Sequence, residues 1–505
     1  MSRKKKLAYN TITSLIYNIV VVICGFILPR YFLTHYGSSV NGLVRSISNF
    51  ISFVSLFNMG LNAVVKSALY KPLAENDNVE VSRILKSAGI FFRLLARLLV
   101  VYVLILIIVY PYIISEKFDF IYTASLFVIL SIGAFVQYYF GVTRQLLLNS
   151  DQKAYIPFGL DILTLIANTA VSVALIIHNY SIHLVMLVST LIFMIKPLFL
   201  VLYVKKHYSI DSGIELTEEP IKQKWNGLAH HISTVVLQRT DVIILTIFST
   251  LKNVSVYSTY FMVIGGIKKL ILSMTAGIEL LIGDMLAKQE QKLLLKTFEI
   301  YEWIMHNVVT LLYTITAVLI TDFIKVYTLS VNDANYILPV FAILLTAATA
   351  LHGYRFPYSV VIHAAGHFKQ TQNSAVIETL INIILSIILV MKYGLIGVAI
   401  GTIAAMIYRT LYFVWYLSGN IINRPVKHYI HYVLIDCIII SAIYFATSSI
   451  TMDEITYYCW FIKALKVTAI SAAISFLVNV ILKRNYLKNI KILFSKKTAT
   501  TLANE

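Results

Sequence analysis

The chain has 505 residues, 58% of them hydrophobic and 13% charged, with a formal net charge of +18 and a mean hydropathy of +0.78. No water-soluble domain of this length covers that much apolar surface, so the composition excludes a soluble enzyme and points to a polytopic membrane protein. The positive excess would suit a polyanion such as nucleic acid, so the placement of Lys and Arg along the chain decides what it means.

Apolar runs long enough to span a bilayer occur near residues 11–33, 41–65, 91–114, 118–140, 156–178 and 182–204. After a polar interruption they resume near 227–250, 256–282, 299–320, 336–360, 375–393 and 396–417, and a last pair covers 428–449 and 459–482. This pattern predicts an all-α polytopic membrane protein of about fourteen transmembrane helices. Its organisation is an amino-terminal lobe over 1–208, a cytoplasmic linker over 209–226, a second lobe over 227–417, two extra helices over 428–482 and a basic tail over 483–505.

Alternate loops carry the basic residues. One set begins with Arg3, Lys4, Lys5 and Lys6 and continues through Arg83, Lys86, Arg144, Lys205, Lys288 and Arg424 to the tail, whereas the other set offers Lys117, Lys252, Lys325 and Lys392. Lys and Arg are retained on the cytoplasmic side, so both termini are expected there. Topology thus accounts for most of the net charge, with attraction to anionic lipid as a secondary effect, and nucleic acid is not needed as a partner. The first run is too long for a signal peptide and lacks a small-x-small cleavage site, so it reads as a retained helix. The segments 66–86 and 284–296 mix charge with apolar residues and are expected to be surface helices. Displacing the chain by 217 residues lays Gly60 on Gly277, Leu69 on Leu286 and Lys71 on Lys288, a weak duplication of two six-helix halves. Parallel repeats of this kind build two lobes around a central cavity.

Charge inside hydrocarbon costs several kcal/mol unless it faces protein or water, so ionisable residues within the runs are the functional candidates. Most are basic: Arg30 and Arg45 toward the outer ends of the first two spans, Arg239 mid-span in the seventh, Lys268 and Lys269 mid-span in the eighth, and Arg355 in the tenth. In the second span Asn41, Arg45, Ser48, Ser52, Ser55, Asn62 and Lys66 recur at helical spacing and would form one polar face. Asn18 and Gln238 add polar groups on the first and seventh spans. Asp241 and Glu279 are the candidates for handling H+ or Na+, with a structural counter-ion as the equal alternative for Asp241. Arg239 and Asp241 are two apart on a helix and are not expected to pair. Arg93, Arg97 and Arg144 read as snorkelling residues at helix ends, and Asp161, Glu378 and Asp436 as partners for basic groups. His363 and His367 lack a third ligand, Gly397 and Gly401 suit helix packing, the three cysteines lie in apolar runs, and no phosphate-binding glycine loop occurs. Neither a metal nor another cofactor is expected.

Three segments carry a resemblance. Tyr36-Gly-Ser-Ser-Val-Asn-Gly-Leu43, followed by Phe57-Asn-Met-Gly-Leu-Asn-Ala63 and Ala68-Leu-Tyr-Lys-Pro-Leu-Ala-Glu-Asn-Asp77, resembles the start of Wzx-type oligosaccharide flippases of the multidrug, oligosaccharidyl-lipid and polysaccharide exporter superfamily. The resemblance implies transfer of undecaprenyl-pyrophosphate-linked repeat units to the outer leaflet of a bacterial plasma membrane for capsule or exopolysaccharide synthesis, alongside other assembly proteins. Related lipid II flippases use arginines of helices 1, 2 and 8, and a groove at helices 13 and 14 for the lipid tail. Arg30, Arg45 and Lys268 or Lys269 occupy matching helices. Two rivals remain: a multidrug or cation antiporter of the same superfamily, and a polytopic polymerase or glycosyltransferase. The first would line its lobes with carboxylates, and the second needs a long outer loop that this chain lacks.

Overall fold

The computed structural model describes residues 3–57, 59–114, 116, 118–211, 213–214, 228–273 and 276–482. Most of the expected linker and the whole of the basic tail lie outside them. The described chain is helical throughout: α1 (Arg3–Ser52), a 3-10 turn (Phe53–Phe57), α2 (Met59–Glu75), α3 (Asn78–Ile113), α4 (Phe120–Val136), a π-helical turn (Gln137–Gly141), α5 (Val142–Ser150), α6 (Tyr155–Ile177) and α7 (Ile182–His207). It continues as α8 (Leu228–Phe248), α9 (Leu251–Ser273), α10 (Ala276–Ala287), α11 (Gln291–Tyr327), α12 (Pro339–Ala364), α13 (Phe368–Tyr393), α14 (Leu395–Asn420), α15 (Lys427–Thr447) and α16 (Tyr457–Leu482). All fourteen apolar runs fall on these helices.

Among the described residues ten helices are long and apolar enough to cross a membrane, which makes the chain a multi-pass membrane protein. One of the ten, α1, carries the first apolar run and the start of the second on two limbs separated at Gly37, which adopts φ 78°, ψ 174°. Two further helices of more than 20 residues, α9 and α12, fall short of that apolarity; they carry Lys268, Lys269 and Arg355, and α8 carries Arg239 and Asp241. Polar content is thus concentrated on the helices where the sequence placed functional charge.

One run read as a single helix is broken: that at 41–65 is divided among α1, the 3-10 turn and α2. The described residues of the run at 256–282 belong to α9 and α10. A 3-10 turn advances three residues per turn rather than 3.6, so it resets the angular register. The polar face expected to run from Asn41 to Lys66 therefore stops at Ser52; Ser55 sits in the turn, and Asn62 and Lys66 belong to α2. The expected surface helices are corrected likewise. The segment 66–86 is the end of α2, a turn at Asn76 with φ 57°, and the start of α3, where the Asp77 carboxylate accepts the Glu80 N–H at 2.9 Å. The segment 284–296 is the end of α10, a turn at Gln289 with φ 58°, and the start of α11. In each half a short helix, α2 or α10, is followed by a long one, α3 or α11, so the duplication extends to the element order.

Packing divides the chain into two compact units, Met1–Ser258 and Thr259–Glu505. In the first, α6 packs on α1 and α7, α4 on α3 and α7, and α8 on α1 and the 3-10 turn. Tyr110 meets Phe50 and Phe127 edge-on at 5.5 and 4.9 Å at the centre of its core. In the second, α14 packs on α12 and α13, and α11 on α12, α15 and α16. Gly397 and Gly401 let α14 approach α13: an added Cβ would lie 2.2 Å from the Leu389 carbonyl oxygen and 2.3 Å from Ser386 Oγ.

Asp151, in the turn between α5 and α6, accepts from Lys6 Nζ at 3.1 Å and Tyr208 Oη at 2.6 Å and pairs with Lys153 at 2.7 Å. Burial pushes its carboxyl up, but Lys153, Tyr208 and Lys6 outweigh burial and hold it below the ordinary range. A depressed carboxylate stabilises the fold above its unfolded pKa, about 4, and the contribution is lost as pH falls through its folded value. Asp151→Asn is expected to lower the unfolding midpoint in detergent at pH 7 by a few degrees and to flatten the acid dependence below pH 4. An unchanged acid profile in the variant would assign that dependence elsewhere.

Candidate functional site

In the first unit the second limb of α1 crosses α8 and the start of α9. Their contact is made of small polar groups: Asn41 Nδ2 donates to Ser255 Oγ at 2.6 Å, and the Ser46 and Thr246 hydroxyls meet at 2.8 Å. Gly42 allows the closest approach, since a Cβ there would lie 1.8 Å from the Leu251 carbonyl oxygen. The segment Tyr36–Leu43, which carries the family resemblance, therefore works structurally here: Gly37 breaks the helix, and Asn41 and Gly42 seat it on α9.

Arg239 projects from α8 and is half-buried. Its Nη1 donates to Asn49 Oδ1 at 3.2 Å, and Asn49 Nδ2 in turn donates to the Arg45 carbonyl at 2.9 Å. The Arg239 Nε is buried with no hydrogen-bond partner, and no carboxylate among the described residues forms an ion pair with it. A guanidinium has five N–H groups, and the neutral amide of Asn49 neutralises none of its charge. Asp241 turns elsewhere, accepting from Tyr257 Oη at 2.8 Å, as the two-residue spacing requires.

The remaining candidates divide by exposure. Arg30 and Arg45 are half-buried, whereas Ser48 and Asn18 are exposed and donate to carbonyls of their own helix, those of Val44 and Ser14. Ser52 is half-buried and does the same to Asn49. Asn41 is buried in the α1–α9 contact, and the side chain of Gln238 lies outside the described residues.

In the second unit the cations gather around one carboxylate. Arg355 Nη1 donates to Glu378 Oε1 at 2.5 Å, and Arg409 Nε lies 3.9 Å from Glu378 Oε2. Both guanidinium groups flank the Phe413 ring, at 5.9 and 4.4 Å from its centroid. Half-buried Lys268 is within electrostatic reach of Arg355 and Glu378. Glu378 thus answers three cations, and Arg409 Nη1 is left buried without a partner. Lys269 and Glu279 are exposed. Asp161 pairs with Lys196 at 2.7 Å and Asp436 with His306 at 2.5 Å, so the acids read as partners of basic groups take that role.

Sequence reasoning passed over a polar network on α11. Glu302, His306 and Thr310 follow one another at four-residue steps, and all are buried. Glu302 pairs with Arg424 at 2.7 Å and accepts from Tyr358, while Thr310 donates to Asp436 at 2.7 Å. That spacing was the available signal, and Arg424 had been counted as a loop cation.

No family model and no curated relative matches this sequence. Solved structures do. The chain is similar to the lipid II flippase MurJ in an inward closed conformation, with 16% identity and a TM-score of 0.70 over 95% of this chain and 99% of that one. It is similar to a multidrug resistance MATE family transporter of the MOP superfamily in its inward-facing conformation, with 15% identity and a TM-score of 0.64 over 81% of this chain and 98% of that one. It is also similar to a eukaryotic MATE transporter, with 12% identity and a TM-score of 0.58 over 82% and 95%. The chain therefore has the fold of these membrane transporters and flippases, and none of the three is an enzyme by its description.

Proposed function

We propose that this protein is a flippase that carries undecaprenyl-pyrophosphate-linked oligosaccharide repeat units from the cytoplasmic to the outer leaflet of a bacterial plasma membrane by alternating access, for capsule or exopolysaccharide synthesis. The observation that supports it most is Arg239, a half-buried guanidinium within an apolar chain that has one neutral hydrogen-bond partner and an orphaned Nε. A pyrophosphate cannot cross hydrocarbon bare, and guanidinium and ammonium groups replace its hydration. The surplus of cations over carboxylate around Glu378 is consistent with an anionic substrate, as is the fold shared with a lipid II flippase. With both termini inside, the membrane potential favours outward movement of each negative charge by about 2.3 kcal/mol per 100 mV, and Asp241 is the group that would handle a coupling cation.

The test is translocation of a lipid-linked oligosaccharide in reconstituted vesicles. Loss of a charge-assisted contact worth about 1.5–3 kcal/mol predicts a fall of roughly ten- to a hundredfold for Arg239→Ala, with Arg45→Ala impaired as well. Wild-type rates in both variants would remove the site assignment. A drug or cation antiporter is the second reading, favoured by the fold shared with MATE transporters and by the buried carboxylate of Asp241. Preferential transport of organic cations would establish it in place of the first.

A further inference from the structure

A second cationic site lies in the first unit, away from the α1–α8 crossing. Its walls come from α3, α5 and the end of α7 with the segment after it, which line a half-open cavity of about 140 Å3. Lys86, Arg93, Thr143, Arg144 and Asp211 contribute the polar lining. Arg93 and Arg144 lie close enough to repel each other, and Arg93 has no hydrogen-bond or ion-pair partner among the described residues. Arg144 donates to the Phe140 carbonyl at 3.3 Å, and Lys86 to the Ile214 carbonyl at 2.5 Å, so neither is neutralised. The one acid among the described lining residues is turned aside: Asp211 Oδ1 accepts from the Gly213 N–H at 2.8 Å. The Arg93 guanidinium lies back over Gly89, about one turn earlier on α3.

Helix lengths place this cavity in the bilayer. Arg93 lies 20 residues before Ile113, the far end of α3, about 30 Å at 1.5 Å per residue. Arg144 is 24 residues after Phe120, the far end of α4, and Val204 is 22 residues after Ile182, the far end of α7, about 36 and 33 Å. A hydrocarbon core of about 30 Å thus ends where the cavity begins, and the cavity occupies the headgroup layer. Two guanidinium groups drawn together at that depth need an anion between them, and Arg matches phosphate oxygens bidentately. The volume equals about four or five waters at roughly 30 Å3 each, the space of a single phosphate group. Snorkelling explains why each arginine reaches this level but not why they share one hollow.

We propose that Arg93 and Arg144, with Lys86 and Thr143, form a binding site for a phosphate group at the amino-terminal face of the membrane. It is separate from the cations of α8, α9 and α12 and does not depend on the flippase reading. The phosphate can belong to a phospholipid headgroup or be free in solution. The experiment compares purified wild type with Arg93→Gln/Arg144→Gln by thermal unfolding and native mass spectrometry, after addition of dioleoyl phosphatidylglycerol, dioleoyl phosphatidylcholine or inorganic phosphate. For a lipid headgroup, phosphatidylglycerol raises the wild-type midpoint and stays bound, and the variant binds it at least fivefold more weakly. Stabilisation of wild type by millimolar inorganic phosphate without a lipid effect assigns the site to free phosphate. Equal responses of both proteins, or no response from wild type, overturn the proposal. Arg97→Gln, one turn further along α3 and outside the cavity, keeps the full response. Should the double variant fail to fold, Arg93→Gln alone decides, because Arg93 makes no hydrogen bond or ion pair among the described residues.

Discussion

Glu378→Ala is expected to cost about 3–5 kcal/mol, enough to lower the yield of folded protein several-fold and shift thermal unfolding in detergent by many degrees. Breaking a buried ion pair by removing one partner leaves the other charge uncompensated, and that penalty is much larger than the net stabilisation the intact pair provides. Here the removed group answers more than one cation. Arg355 is 8% exposed and Arg409 3%, so water cannot take over the role of the carboxylate for either. Arg409 already has one buried N–H without an acceptor and would lose the carboxylate that pairs with it among the described residues. The same reasoning predicts rescue only when both guanidinium groups go with the carboxylate: Glu378→Leu combined with Arg355→Met and Arg409→Met replaces the cluster by apolar groups of similar volume and should recover most of the loss, whereas Glu378→Leu with Arg355→Met alone leaves Arg409 uncompensated and should not. A Glu378→Ala protein that unfolds at the wild-type temperature would show that Arg355 and Arg409 are solvated or paired by other means, and the second-unit cluster would lose its basis.

How much of this was legible in the sequence depends on the physical signal involved. Helices were legible because a bilayer imposes a length and an apolarity that a hydropathy window measures directly, and every run fell on a helix. The breaks were not. Gly37 interrupts α1 through one dihedral pair, and the turn at Phe53–Phe57 changes the rise per residue without changing hydropathy. Missing that turn is what made seven residues from Asn41 to Lys66 look like a single face. Arg239 could be singled out because an isolated charge in hydrocarbon is costly, but Asn49 could not, since which neighbour α8 crosses is a property of the fold. Asn41 was legible as polar, yet its role is to hold Ser255 rather than to line a path. The network at Glu302, His306 and Thr310 was present in the spacing and was overlooked because loop charges were counted separately from span charges. Arg93 and Arg144 are 51 residues apart on different helices, and only the packing of α3 on α5 puts them in one cavity.

Gly42→Ala is expected to disrupt the first unit by about 3 kcal/mol or more, whereas Gly25→Ala on the same helix α1 should be neutral or slightly stabilising. An added Cβ at residue 42 would lie 1.8 Å from the Leu251 carbonyl oxygen and 2.6 Å from its carbon. Both atoms are backbone, so no rotamer change relieves the clash, and overpacking of this kind costs 1–3 kcal/mol even where side chains can yield. Leu251 cannot retreat easily. Its own N–H donates to Glu116 Oε2 at 3.1 Å, its side chain is 1% exposed in the core beside Leu43, and one turn further on Ser255 is held by Asn41. Moving α9 away from α1 would break all three contacts together. At Gly25 nothing lies within 4 Å of the position a Cβ would take, so alanine there gains helix propensity worth about 0.5–1 kcal/mol without a steric penalty. Fluorescence-monitored thermal unfolding of the two variants in one detergent separates a local clash from a general intolerance of α1 to substitution. Equal midpoints for Gly42→Ala and wild type would mean that α1 and α9 do not cross at this residue, and the placement of Arg239 against Asn49, which depends on the same crossing, would fall with it.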